Sequence, residues 1–167
     1  MENSVEKLTE ILEKEVRIHD NLLQTAGSIN KSIKDNNTTA LNQQTSQYDE
    51  QIFQLEKMEE QRIECCGALM HQYGFGDNQP VKLARIIGNT PASRKARLEQ
   101  VQAALRKRIQ ELANINTSNR ILLEDSLGII ENTFSMIRKA ANPVAGYRQK
   151  GIKTYSRTGS SFLNTVA

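Results

Sequence analysis

The chain has no tryptophan, only 5% aromatic residues, three prolines and nine glycines among its 167 residues. So few turn-formers argue against a sheet protein built from many tight turns. The two cysteines, Cys65 and Cys66, are adjacent, which is no disulfide framework. Together these scarcities predict an intracellular, reducing setting, and the expectation is a cytoplasmic protein. The longest nearly apolar run, Cys65 to Met70, falls far short of the roughly 18 residues of a membrane span. The start reads Met1-Glu2-Asn3-Ser4, with no basic head and no apolar stretch, so no secretory signal is expected. Hydrophobic residues make up 38%, below the share of an average globular domain. A thin apolar seam between helices fits that share better than a large globular core.

What is present is helical period and divided charge. Residues 1–64 carry 13 acidic against 7 basic side chains, whereas residues 65–167 carry 6 against 15. Helices of opposite charge attract one another when the chain folds back. The basic half is also the kind of surface that attracts nucleic acid or an anionic membrane.

Val5, Leu8, Leu12, Val16, Leu22, Leu23, Ala26, Ile29 and Ile33 recur mostly at steps of three or four and predict a first helix to about Lys34. Asp35-Asn36-Asn37 interrupts it, and Gly27 weakens it locally. Asn37 or Thr38 caps a second run through Leu41, Tyr48, Ile52, Leu55, Ile63, Cys66, Leu69 and Tyr73. Its polar beginning, residues 42–47, needs packing rather than propensity to stay helical. After Gly74-Phe75-Gly76, the short run Val81–Ile87 predicts a connector helix that closes one end. Thr90-Pro91 reads as cap and first helical position of a last helix of about 50 residues, ended by Pro143. Its stripe is Leu98, Val101, Leu105, Ile109, Leu112 and Ile115, then Leu122, Leu123, Leu127, Ile130, Phe134, Ile137 and Ala141. Asn116 and Asn119 break that stripe, and polar residues at such positions fix register.

The expected fold is therefore all-α: an elongated antiparallel bundle or coiled coil of three long helices, with a short connector helix, over residues 1–143. Residues 144–167 form the expected flexible basic C-terminal tail, which binds a partner. Arg148, Lys150, Lys153 and Arg157 stand there without an acid, beside Tyr147, Tyr155, Phe162 and Leu163. Aromatics in such a segment point to ordering on a partner.

No constellation for catalysis or metal binding stands out. Neighbouring residues on a helix point about 100° apart, so Cys65 and Cys66 do not share a ligand sphere, and His71 is the one imidazole nearby. Cys66 reads as a small buried hydrophobe and Cys65 as incidental. His19 has no visible nucleophile to serve and reads as a partly buried structural histidine. Glu59 and Glu60 read as a solvated face. Neither an enzyme nor a cofactor is expected. The cluster Arg94-Lys95-Arg97 and Arg106-Lys107-Arg108 has two readings, phosphate neutralisation or pairing with the acidic half, and no nucleic acid is expected as partner. The second half of the last helix carries apolar pairs, Leu122-Leu123, Ile129-Ile130, Met136-Ile137 and Ala140-Ala141, with Leu127 and Phe134 between them. That band is wider than one coiled-coil seam. It either meets two helices of its own bundle or offers a face to a partner helix.

Asn119-Arg120-Ile121-Leu122-Leu123-Glu124, a helix to Pro143, then Tyr147-Arg148-Gln149-Lys150-Gly151 and Gly159-Ser160-Ser161 resemble the FlgN family of flagellar export chaperones. Leu55, Glu59, Glu60 and Arg62 are similar to that family's segment near the end of its second helix. Lys150 stands where the family often has an acidic residue. The resemblance implies a cytoplasmic chaperone that binds hook–filament junction proteins, prevents their premature assembly and delivers them to the type III export gate and its apparatus. It implies Leu123, Leu127, Ile130, Phe134 and Ile137 as the substrate face. Tyr147, Gly151, Phe162 and Leu163 are the implied tail contacts, with Tyr147 docking on the gate. The competing readings are a basic helical nucleic-acid binder and a structural coiled-coil assembly subunit.

Overall fold

The structure is a computed structural model that describes residues 2–75 and 83–141, with side chains for 4–75 and 83–139. Every element described is a helix: α1 (Glu2–Lys34), α2 (Thr38–Gln72), α3 (Leu83–Asn89) and α4 (Ala92–Ala141). The expected tail, residues 144–167, and the first two residues of the expected connector lie outside the described residues. The described chain divides into two compact units, Met1–Leu127 and a second beginning at Gly128.

The helix ends follow from local chemistry. At the end of α1, Asn37 N–H donates to the Ser32 carbonyl and Asn36 N–H to the Ile33 carbonyl. Asn36 takes a left-handed φ of 52° to close that Schellman motif, a conformation asparagine tolerates well. Asn37 then serves the next helix as well, because its side chain accepts from Ala40 N–H at 3.0 Å. The same motif ends α2, with Gly74 at φ 76°, where a side chain would be strained. There Phe75 N–H donates to the Met70 carbonyl and Phe75 itself packs on the core. At the start of α4 the expectation needs refining. The Thr90 hydroxyl donates to the Ile86 carbonyl of α3 at 2.7 Å, and the turn opens with Arg94 and Lys95 N–H donating to the Pro91 carbonyl.

Within the first unit, α1 and α2 are antiparallel: Ser32 meets Gln44, and Glu15 meets Arg62. α4 is parallel to α1, because Arg97 reaches Glu6 and Glu13, Arg108 reaches Asp20, and Asn119 reaches Ala26. One apolar cluster gathers Val5, Leu8 and Leu12 with Cys66, Leu69, Ile86 and Leu98. A second gathers Leu22, Ala26 and Leu112, with Tyr48 and Ile52 against them. α3 thus closes the first cluster with Ile86 and Ile87, both buried.

Three readings of single residues change. Cys65 is not incidental: it is buried beside Cys66, and its thiol lies 3.6 Å from the Ser4 carbonyl. Both adjacent positions are covered there because the first cluster draws on four helices. Ile63 and Ile109 are 54% and 49% exposed, so each leaves the stripe to which its spacing assigned it. Glu59 is not simply solvated, because it accepts from Arg62 at 2.9 Å.

An ionic layer separates the two apolar clusters. Glu15 is 3% exposed and accepts from Arg62 Nε at 3.0 Å. Burial raises its carboxyl above the ordinary value, and the Arg62 guanidinium only partly offsets that. His19, also buried, donates from Nδ1 to the Glu15 backbone carbonyl at 2.8 Å. A carbonyl only accepts, so Nδ1 carries the proton. Burial likewise pushes the Cys66 thiol up to about 11, which leaves it unreactive at neutral pH.

Candidate functional site

α4 begins as a bundle helix. Leu98 is fully buried, Leu112 nearly so, and Val101, Leu105 and Ile115 pack against the two clusters. Its basic cluster is largely engaged with acids. Arg97 forks onto Glu6 at 2.7 Å and Glu13 at 2.8 Å, and Arg108 pairs with Asp20 and with Glu111. The hydrogen bonds that Arg97 donates to Glu13 and Arg108 to Asp20 raise the two guanidinium pKa values further above their ordinary range. The pairing reading of this cluster is therefore the one the geometry carries.

The two asparagines fix how α4 sits on its neighbours. Asn119 donates to the Ala26 carbonyl at 3.0 Å and accepts from Asn30 at 2.8 Å. Asn116 donates to the Tyr48 hydroxyl at 2.8 Å. Asn119 is buried and a buried amide has few alternative partners, so a slip of one turn would leave it unpaired, whereas exposed Asn116 could turn to water.

Past Asn119 the apolar side chains face outward, except for half-buried Leu122. Leu123 is 41% exposed and Leu127, the last residue of the first unit, 60%. In the second unit, Ile130, Phe134 and Ile137 are each at least half exposed, and Ile129 and Met136 more so. At about 100° per residue the exposed apolar positions from Leu123 to Ile137 span roughly 180° of the helix surface. The hydroxyls in that arc do not compete for a partner's groups. Ser126 and Thr133 donate to the carbonyls of Leu122 and Ile129, each at 2.8 Å. Contiguous exposed apolar side chains of this kind mark a surface that another molecule covers.

Leu123, Leu127, Ile130, Phe134 and Ile137 are thus all on α4 and all exposed. Tyr147, Gly151, Phe162 and Leu163 lie outside the described residues. Ile129 and Met136 share the outward exposure but were not among the expected site residues. The signal for them was the doubled apolar pairs, which the seam spacing alone does not use. Among the described residues no three of His, Cys, Asp or Glu come together as metal ligands would. Nor, among the described residues, is any helix long and apolar enough to cross a membrane.

A family model described as FlgN protein matches residues 1–155. The match takes in all four helices, Tyr147 and Gly151, and stops before Phe162 and Leu163. Nothing among curated proteins and nothing among solved structures matches the chain. The apolar face of α4 and a match over nearly the whole length lead to one conclusion: the chain belongs to the FlgN family of flagellar export chaperones.

Proposed function

We propose that this chaperone works in the cytoplasm, binds hook–filament junction proteins, prevents their premature assembly and delivers them to the flagellar type III export gate. The observation that carries the reading is the exposed apolar side chains of α4 in a chain of this family. Leu123, Leu127, Ile130, Phe134 and Ile137 form the substrate face, onto which a terminal helical segment of the junction protein lays its own apolar side. Covering it keeps the substrate's assembly segment from finding other subunits. Residues 144–167 act as a partner-binding tail with contacts at Tyr147, Gly151, Phe162 and Leu163, and Tyr147 docks on the gate. The bundle, residues 1–143, holds the face in place. The chaperone itself consumes no nucleotide.

Calorimetry with the C-terminal segment of the junction protein from the same genome tests this. The full chain and a form ending at Pro143 are run side by side, each checked for helicity by circular dichroism. Saturable one-to-one binding with a negative heat-capacity change is the expected result, because apolar area leaves water. Retention in the shortened form places the site on α4, and loss places it in the tail. Absence of binding by both helical forms contradicts the reading.

A further inference from the structure

The first unit carries a second unfilled surface, on the seam between α1 and α2. Ile18 and Met58 floor a cavity of about 430 Å³ there, with Gln54 beside them and Lys14, Arg17 and Lys57 around it. The three cations contrast with the arginines that tie the bundle together. Arg62, Arg97 and Arg108 are each held by α1 carboxylates, whereas Lys14, Arg17 and Lys57 meet no carboxylate within ion-pair reach among the described residues. Lys57 instead sits 4.2 Å above the ring of Phe53, itself 57% exposed. Further along the seam a cavity of about 470 Å³ is lined by neutral amides and hydroxyls, among them Asn21, Gln24, Gln47 and Gln51. The Gln51 side-chain oxygen there is buried and, among the described residues, has no donor.

The two cavities form one track. On α1 the lining positions 14, 17, 18, 21, 24 and 28 step along one side of the helix, and on α2 so do 43, 47, 51, 54 and 58. At 1.5 Å per residue the track runs about 20 Å, the length of a helix of about 14 residues. No residue of α4 lines either cavity; α4 meets α1 through Glu6, Glu13 and Asp20, and of the groove residues only Arg17 also lines the space between α1 and α4.

We propose that this groove docks an acidic amphipathic helix of a partner protein. Apolar side chains of that helix fill the floor at Ile18 and Met58. Its flanking carboxylates pair with Lys14, Arg17 and Lys57, and uncharged polar side chains follow onto the amide stretch, where a donor satisfies Gln51. A nucleic acid would use the three cations but has nothing to place on the apolar floor. The groove is separate from the α4 face, so the inference stands apart from the function proposed above.

The chain has four methionines, and three of them sit in different environments: Met58 in the groove, Met70 in the core and Met136 on the exposed part of α4. Isotope labelling of the methionine methyl groups therefore reads groove, core and α4 separately by NMR. The probe is a synthetic helix of about 14 residues with leucine on one side and glutamate flanking it, matched to the groove length. Its control carries lysine for each glutamate. The glutamate probe is expected to shift Met58 saturably while Met70 and Met136 stay put. The double variant Lys14→Glu with Lys57→Glu is expected to weaken that binding at least about tenfold without altering the circular dichroism, and added salt to weaken it in the wild type. A silent Met58, equal binding of the lysine probe, or an unaffected double variant overturns the proposal. So does a Met58 shift on raising protein concentration alone, which assigns the groove to a second copy. A shift caused by an oligonucleotide and not by the peptide also overturns it. The junction-protein segment, titrated into the same sample, is read at Met136, so its failure bears on the function proposed above and not on the groove.

Discussion

The same helix behaves differently in the two units. In the first, α4 supplies core residues up to Ile115, with Leu98 at 0% exposure and Leu112 at 9%, before its apolar side chains turn outward past Asn119. In the second, Phe134 and Ile137 stand at 59% and 58%. Spacing does not separate these stretches, because both recur at threes and fours. Length does. Residues of α1 pair with α4 residues 84 to 93 positions later. α1 ends at Lys34, so its matching positions on α4 end between about Ser118 and Leu127. The lesson is that an apolar stripe becomes core only where another helix has residues left to cover it.

The sharpest way to break this contrast is to truncate one side chain in each region. Leu98→Ala removes a fully buried side chain and is expected to lower stability by about 2–5 kcal/mol. Phe134→Ala, though the larger truncation, is expected to change it by no more than about 0.5 kcal/mol. Thermal and denaturant unfolding of the two variants checks both. Comparable losses would show that Phe134 belongs to a core.

Register comes next. Asn119→Ala removes two hydrogen bonds that hold α4 against α1 and is expected to cost about 1–3 kcal/mol. Gly27→Ala sharpens the contrast from the other side. An added Cβ at Gly27 meets the Ile115 side chain at 3.9 Å, an ordinary contact, so the substitution is expected to stabilise α1 by about 0.5–1 kcal/mol.

The smallest effect lies in the ionic layer. The Glu15 carboxyl is raised by burial, so the folded protein holds its proton to higher pH than the unfolded chain does. That contribution is fully present below the unfolded value of 4.5 and is lost as pH rises through the raised folded value. Comparing wild type with Glu15→Gln isolates it from the other carboxylates. The wild type is expected to gain on the variant as pH falls from 7 towards 4.5. A difference in unfolding free energy that is flat in pH, or that grows on the alkaline side, contradicts this assignment.

Much of the fold was legible because local signals agreed. Asn37 was readable as a cap, Asp35-Asn36-Asn37 as a break, and the polar interruption at Asn116 and Asn119 as register control. What stayed hidden is set by neighbours rather than by spacing. Nothing near Ile63 or Ile109 in the chain says that no helix covers them. Adjacent Cys65 and Cys66 could be recognised as jointly buried only once four helices met at that end. Nothing in the sequence singles out Glu15, whose burial beside Arg62 depends on two helices meeting. The exposed apolar face of α4 had a partial signal. The doubled apolar pairs showed a band too wide for one seam, but not whether the chain's own helices filled it. The groove on α1 and α2 had none, because its lining comes from two helices read separately.

The most direct test of the account is a charge placed on the α4 face. Phe134→Asp and Ile130→Asp are each compared with wild type by circular dichroism, thermal melting and calorimetry against the junction-protein C-terminal segment. The account predicts unchanged helicity and melting together with abolished binding. Unfolding of either variant would make those residues core, and full binding by a folded variant would move the substrate site off α4.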